Sequence, residues 1–229
     1  LHWTFHADPD LLIYDYAPDL REIDGYLYFC ASSRSKNCPI LRSADPLHEK
    51  FEQAAAPFPF WDPDLFLDDD GRLYLYWGCT NTDPIWGVEL DRETLAPIGE
   101  KVPLIYGDPE HLGYERAGEN GVVDKEGSVV YKHLAPLFNA ATGKIEMPAA
   151  MLAQAGMTNE QLTKLFLSVG APYIEGAFMT KHEGKYYLQY ACPGTQYNVY
   201  ADGVYVGESP LGPFDKAAEN PILERGGEV

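Results

Sequence analysis

The sequence has no run of eighteen or more apolar residues, so it offers no transmembrane helix. Positive charge is scarce. Lys and Arg number 17 against 35 Asp and Glu, a formal net charge of -18. A surface of that sign repels phosphate backbones and anionic headgroups, so neither nucleic acid nor an anionic membrane is expected as a partner, whereas a neutral ligand is compatible. Cysteine is limited to Cys30, Cys38, Cys79 and Cys192, with no CxxC pair, and no zinc site is expected. Cys30 and Cys38 are spaced to close a short loop in an oxidising compartment, but scattered free thiols are the preferred reading. There is no initiator Met and no signal peptide, and the two ends, Leu1 and Gly226-Gly227-Glu228-Val229, read as cuts within a longer frame. The compartment stays open, with a slight lean to the cytoplasm.

What is abundant is aromatic: 16 Tyr, 10 Phe and 4 Trp in 229 residues, a composition that favours strands and suits the packing of sugar C–H faces on ring planes. Most of these rings are expected in the core. The strongest pattern is an internal repeat. Ala17-Pro18-Asp19-Leu20 leads through Asp24-Gly25 into Tyr26–Ser32; Asp62-Pro63-Asp64-Leu65-Phe66 leads through Asp68-Asp69-Asp70-Gly71 into Leu73–Gly78; Ile174-Glu175-Gly176-Ala177-Phe178 leads through Glu183-Gly184 into Tyr186–Ala191. Each unit reads as strand, tight turn, strand, with the glycine supplying the positive φ of a hairpin. A further strand-like stretch follows each hairpin, at Ile40–Ser43, Ile85–Leu90 and Val199–Gly207. Repeated antiparallel units of this kind predict an all-β fold, a β-propeller in which each unit is one blade, forming a single incomplete domain over residues 1–229.

Two segments depart from the repeat. Residues 146–168 predict a helical insertion, with Thr158 as N-cap ahead of Glu160 and Gln161, and Leu162, Leu165 and Phe166 on one face. Residues 107–121 predict a long loop.

Asp62 lies nine residues before Gly71, and Glu175 nine before Gly184, so one position of two hairpins carries an acid. In a propeller such positions converge on one funnel, where a pair of carboxyls meets the needs of glycosidic cleavage: one donates a proton to the leaving oxygen and another group holds it in place. Asp19 occupies a slightly offset place and adds a third carboxylate at the rim. An Asp beside Pro is also a common turn former, and position alone leaves both readings open for Asp62 and Glu175. For Asp64, Asp68, Asp69 and Asp70 the turn is the preferred reading, and calcium at Asp68–Gly71 is not expected because no Glu follows at loop spacing.

These segments resemble glycoside hydrolase family 43. Tyr16-Ala17-Pro18-Asp19, the stretch from Asp62 to Leu75, Glu175-Gly176 with Gly184-Lys185-Tyr186-Tyr187-Leu188, and Ser209–Phe214 with Asn220–Leu223 follow in the family's order. Leu1-His2-Trp3-Thr4-Phe5 is similar to the tail of the family's first blade. The resemblance implies a five-bladed parent of which about three blades are present. It implies that Glu175 is the general acid and that Asp62 holds the acid's proton and orientation. It implies an inverting reaction on β-xylosides or α-L-arabinofuranosides, with a xylo- or arabino-oligosaccharide as partner. The general base then lies before Leu1, and Asp8 does not take its place. A calcium is left open for the full-length parent; no metal or other cofactor is assigned to this chain. Trp61 and Phe178 are candidate apolar walls, Gln189 and Tyr173 flank the acid's hairpin, and Arg116 and Glu119 are candidate loop contacts. His111 and His133 receive no role.

Three rival readings remain. The fructan-cleaving propeller enzymes use Arg-Asp-Pro and Glu-Cys where this chain has Trp61-Asp62-Pro63 and Glu175-Gly176, which argues against them. A non-catalytic carbohydrate-binding propeller is the alternative from another class, and a purely structural propeller is disfavoured by the paired carboxylates.

Overall fold

The computed structural model describes residues 17–224. The Leu1–Phe5 segment, Asp8 and Tyr16 lie outside the described residues. The first sheet is a meander of β1 (Asp19–Ile23), β2 (Tyr26–Cys30), β3 (Ile40–Ser43) and β4 (Glu52–Ala55). The second follows the same plan with β5 (Asp64–Leu67), β6 (Leu73–Trp77), β8 (Ile85–Leu90) and β9 (Pro97–Ile105). Between β6 and β8 the short β7 (Cys79–Thr80) leaves its own sheet and joins the third. After α1 (Val129–Leu134), the hairpin of β10 (Phe138–Asn139) and β11 (Lys144–Ile145), α2 (Ala149–Ala155) and α3 (Asn159–Leu167), the third sheet is built from β12 (Ile174–His182), β13 (Lys185–Cys192), β14 (Ala201–Gly207) and β15 (Phe214–Lys216), with β16 (Leu223–Glu224) also on β14.

The turns form where the repeat predicts them. Asp24 and Gly25 have φ of 52° and 80°, and Glu183 and Gly184 have 49° and 79°, the paired positive values that match the twist of a two-residue hairpin. The turn after β5 is longer: Gly71 N–H closes onto Asp68 O at 2.9 Å, with Gly71 at φ 85°. Conversely, β12 carries an extra residue in a bulge between Glu175 and Phe178, where Gly176 takes φ 64°. The extra turn residue and the extra strand residue cancel, which is why Asp62 and Glu175 stand equally far from their turn glycines.

Strand alternation divides the core in two. All five residues of β6 are buried. Leu73, Leu75 and Trp77 point toward the first sheet, packing with Ile23, Tyr28, Cys30 and Ile40. Tyr74 and Tyr76 point the other way, into a core with Met179, Tyr186, Leu188 and Tyr190 of the third sheet. The second sheet is therefore covered on both faces. Each fully buried Leu, Ile or Val here contributes about 1.5–3 kcal/mol relative to exposure. The first strands also neighbour one another, β5 lying against both β1 and β12.

Carboxylates tie these first strands together. Asp19 accepts the Leu65 N–H at 2.9 Å, and Asp64 accepts the Met179 N–H at 2.7 Å. Ala17 and Asp62 both have φ 50° and both precede Pro-Asp, so Asp64 corresponds to Asp19 and Asp62 to Ala17. This corrects the expectation that Asp64 and Asp68 only form turns. Asp64 is 1 % exposed and paired with Arg21, while Asp68 is buried between Lys181 and the Tyr186 hydroxyl. Asp69 and Asp70 do lie on the exposed turn.

The helical insertion is present as α2 and α3, and Thr158 and Gln161 form the expected reciprocal cap. Leu162 and Phe166 pack into a separate small core with Leu134 and Ile145, but Leu165 is exposed, because that face centres on positions four apart. All four cysteines are free and buried.

Candidate active site

Asp62 and Glu175 open onto the same cavity, about 890 Å³ in volume. Each is placed by local backbone geometry. Asp62 stands at the mouth of β5 in a left-handed conformation, which Asp tolerates better than most residues, and its N–H donates to Ser32 Oγ at 3.1 Å. Glu175 is on β12, and the bulge beside it turns the Gly176 N–H onto Asp62 Oδ2 at 3.0 Å. The backbone next to one carboxylate thus fixes the other.

Both Glu175 oxygens accept hydrogen bonds. Tyr200 Oη donates to Oε1 at 2.9 Å, and Cys79 Sγ donates to Oε2 at 3.1 Å. Cys79 reaches Glu175 because β7 pairs directly with β12, Cys79 opposite Glu175. Arg34 closes this side: its Nη2 donates to Cys79 Sγ at 3.4 Å and its guanidinium covers the Trp61 ring at 4.3 Å. Burial pushes the Asp62 carboxyl up to about 6; the Gly176 N–H opposes the rise, the Glu175 charge adds to it, and Arg34 opposes it. Burial and the neighbouring carboxylates raise the Cys79 thiol well above its ordinary range, so it serves as a donor.

Ligating atoms of Asp62, Cys79 and Glu175 lie within 4.8 Å of one another, a grouping of the size that holds a metal ion. A proton donor, a close second carboxylate and an open cavity are a set able to protonate a departing oxygen. Asp62 is 9 % exposed and its Oδ2 is engaged, so it is poorly placed to attack a substrate itself.

Of the other expected contacts, Asp19, Trp61, Tyr173 and Phe178 line the cavity. The Phe178 ring is covered by Arg21 at 4.3 Å. Gln189 lies instead in an adjacent depression with Asp202. Arg116 does not line the cavity; its Nε donates to Pro109 O at 3.2 Å within the loop. Glu119 is likewise on the exposed loop. Arg34, Cys79, Gln196 and Tyr200 line the cavity without having been expected. They come from segments outside the hairpin repeat, and only the folded chain brings them together. In the same loop, Glu115 is fully buried and accepts from the Tyr190 hydroxyl and the Asp108 N–H, pinning residues 107–121 to the third sheet.

Comparison with known proteins finds relatives both in sequence and in fold. The chain is 30% identical over 208 residues to Xylosidase/arabinosidase 43A of Humicola insolens, covering 87% of this chain and 56% of that protein. It is 28% identical over 176 residues to a Beta-xylosidase of Xylanibacter ruminicola, covering 77% of this chain and 43% of that protein. The chain spans about half the length of these curated relatives. Its fold matches the crystal structure of a thermostable family-43 glycoside hydrolase with a TM-score of 0.53 at 23% identity, over 91% of this chain and 55% of that one. An endo-1,4-beta-xylanase structure from Bacteroides thetaiotaomicron matches with a TM-score of 0.52 at 21% identity, over the same shares. The sequence model described as Glycosyl hydrolases family 43 matches residues 2–138 and 137–228, and the chain belongs to that family.

Proposed function

We propose that this chain carries the acid side of a glycosidase active site that cleaves β-xyloside or α-L-arabinofuranoside linkages with inversion. Glu175 protonates the leaving oxygen, and Asp62 holds Glu175 in charge and orientation. The observation that carries this reading is the convergence of the two carboxyls, from matched positions of two hairpins, within 4.8 Å at one cavity. That separation is too short for an inverting acid–base pair, whose carboxyls stand about 6.5–9.5 Å apart with water between. The general base is therefore a group other than Asp62, carried by another segment of the propeller to which these sheets contribute. Relatives named for xylosidase and arabinosidase activity support the substrate class.

The test uses the full-length protein and a panel of aryl pentosides. It should release pentose, the first-formed sugar should have the opposite anomeric configuration by proton NMR, and Glu175→Ala should abolish release from alkyl pentosides assayed alongside while lowering release from activated aryl pentosides much less. Retained configuration would replace inversion with a double displacement, and full activity in Glu175→Ala would remove Glu175 as the acid. Sugar binding without any hydrolysis would favour a carbohydrate-binding propeller.

A further inference from the structure

Tyr200 stands between two open spaces. On one side it lines the active-site cavity, where its hydroxyl donates to Glu175 Oε1 at 2.9 Å. On the other it lines a separate hollow of about 360 Å³, bounded by Tyr114 and Asn120 of the 107–121 loop and by Pro221 and Glu224. Close packing fixes a side chain by contact all round, and a ring with space before and behind it lacks much of that support. The segment that carries it, residues 193–200 between β13 and β14, is irregular, so no strand ladder supplies the support either.

The support comes from outside the segment. At its start, Pro193 O accepts the Tyr173 N–H at 2.8 Å. Toward its end, Asn198 Oδ1 accepts the Asn120 N–H at 2.8 Å, and Asn198 Nδ2 donates to Asn120 Oδ1 at 2.9 Å. Two bonds between one pair of residues fix orientation as well as distance. Asn120 is suited to this: at φ 55° and ψ 29° it is left-handed, a conformation that Asn enters more readily than most residues. The loop behind it is itself fixed to the third sheet, through Glu115 on the Tyr190 hydroxyl of β13 and Asp108 on Lys216 of β15. Neither asparagine lines the active-site cavity.

We propose that Asn120 and Asn198 are positioning residues for the general acid: their pair holds the β13–β14 connection so that Tyr200, two positions after Asn198, keeps its hydroxyl on Glu175. This rests on the glycosidase reading above. The path is continuous, from the third sheet through Glu115 to the loop, across the paired amides to the connection, and through Tyr200 to the carboxyl. Asn120 is exposed and Asn198 half-buried, so water competes for both amides and the effect on turnover is modest.

The experiment measures kcat and KM of the full-length protein on an alkyl and a nitrophenyl pentoside. Asn198→Ala should lower kcat on the alkyl pentoside about three- to tenfold. Asn120→Gly, which keeps the left-handed backbone and one of the two bonds, should lower it by a smaller factor. KM, and turnover of the nitrophenyl pentoside, whose leaving oxygen needs no proton, should change less than about twofold. The deciding readout is a double variant. With Tyr200→Phe in place the hydroxyl is gone, and adding Asn198→Ala should cause little further loss. The same fractional loss there as in the parent would overturn the proposal, and so would unchanged kcat in Asn198→Ala or an equal loss on both pentosides. A loss confined to KM would overturn it too, since that is the mark of Gln196, which lines the cavity from the same segment. Unchanged turnover of the alkyl pentoside in Glu175→Gln would overturn the acid role of Glu175 and this proposal together. Thermal melting checks each variant's fold; if Asn198→Ala does not fold, Asn120→Gly in the same cycle decides.

Discussion

The Asp64 carboxylate accepts the Met179 backbone N–H at 2.7 Å, reaching from the second sheet into the third while its other oxygen pairs with Arg21 of the first. One side chain therefore joins all three sheets. Asp64→Ala would leave a buried N–H without an acceptor and Arg21 without this partner, and should destabilise the chain by about 2–4 kcal/mol. Chemical denaturation measures it; a change below about 0.5 kcal/mol, the level of an ordinary surface substitution, would refute the tie.

The raised carboxyl of Asp62 has a definite pH consequence. Its folded value of about 6 lies above the ordinary 3.8, so over that interval the folded chain binds more protons than the unfolded chain. Stability from this group is fully present below the ordinary value and is lost as pH rises toward 6. Asp62→Asn, which tolerates the same φ, should match the parent near pH 4 and melt at a higher temperature at pH 7. Scanning calorimetry across that range decides it: a melting difference independent of pH would sink the assignment.

Gly176 is required by its backbone. A Cβ there has space, the nearest atom being Ala191 Cβ at 3.9 Å, yet φ of 64° is unfavourable for an L residue. Gly176→Ala should cost about 1–2 kcal/mol of stability. Its activity should fall further than its stability, since the same N–H holds Asp62. Paired melting and rate measurements on the full-length protein separate the two effects.

Proton donation by Glu175 predicts a dependence on the leaving group. Glu175→Gln should lower kcat by about 10²–10⁴-fold on alkyl glycosides and much less on nitrophenyl glycosides, whose leaving oxygen needs no proton. An equal loss on both would refute the acid role.

Tyr200 should act through Glu175 rather than on binding. Removing its 2.9 Å hydrogen bond in Tyr200→Phe should reduce kcat about ten- to a hundredfold with KM little changed. A loss confined to KM would place Tyr200 on the substrate instead.

The hairpins, their turn glycines, the Asp62–Glu175 match and the Thr158 cap were legible because each is written in a short window of sequence. The outer strands β4 and β9 were not, since both are largely exposed and carry little apolar alternation. Buried charge was misread for a related reason. Asp64, Asp68 and Glu115 sit in polar stretches that resemble solvated turns, and only the partners Met179, Lys181, Tyr186 and Tyr190, all more than seventy residues away, reveal their burial. Arg34, Cys79 and Tyr200 reach the site by the same long-range route. The equal spacing to the glycines led to two residues that open onto one cavity, although it combines a longer turn with a strand bulge.

The departure of β7 from its own sheet has a mechanical meaning. By pairing Cys79 with Glu175 it stitches two otherwise separate sheets with backbone hydrogen bonds at the point where the carboxyls meet. Asp62 and Glu175 should consequently move as a single body, without breathing along the seam between them. Any widening of the cavity must come from its other walls, and amides along this seam should be among the slowest to exchange with solvent.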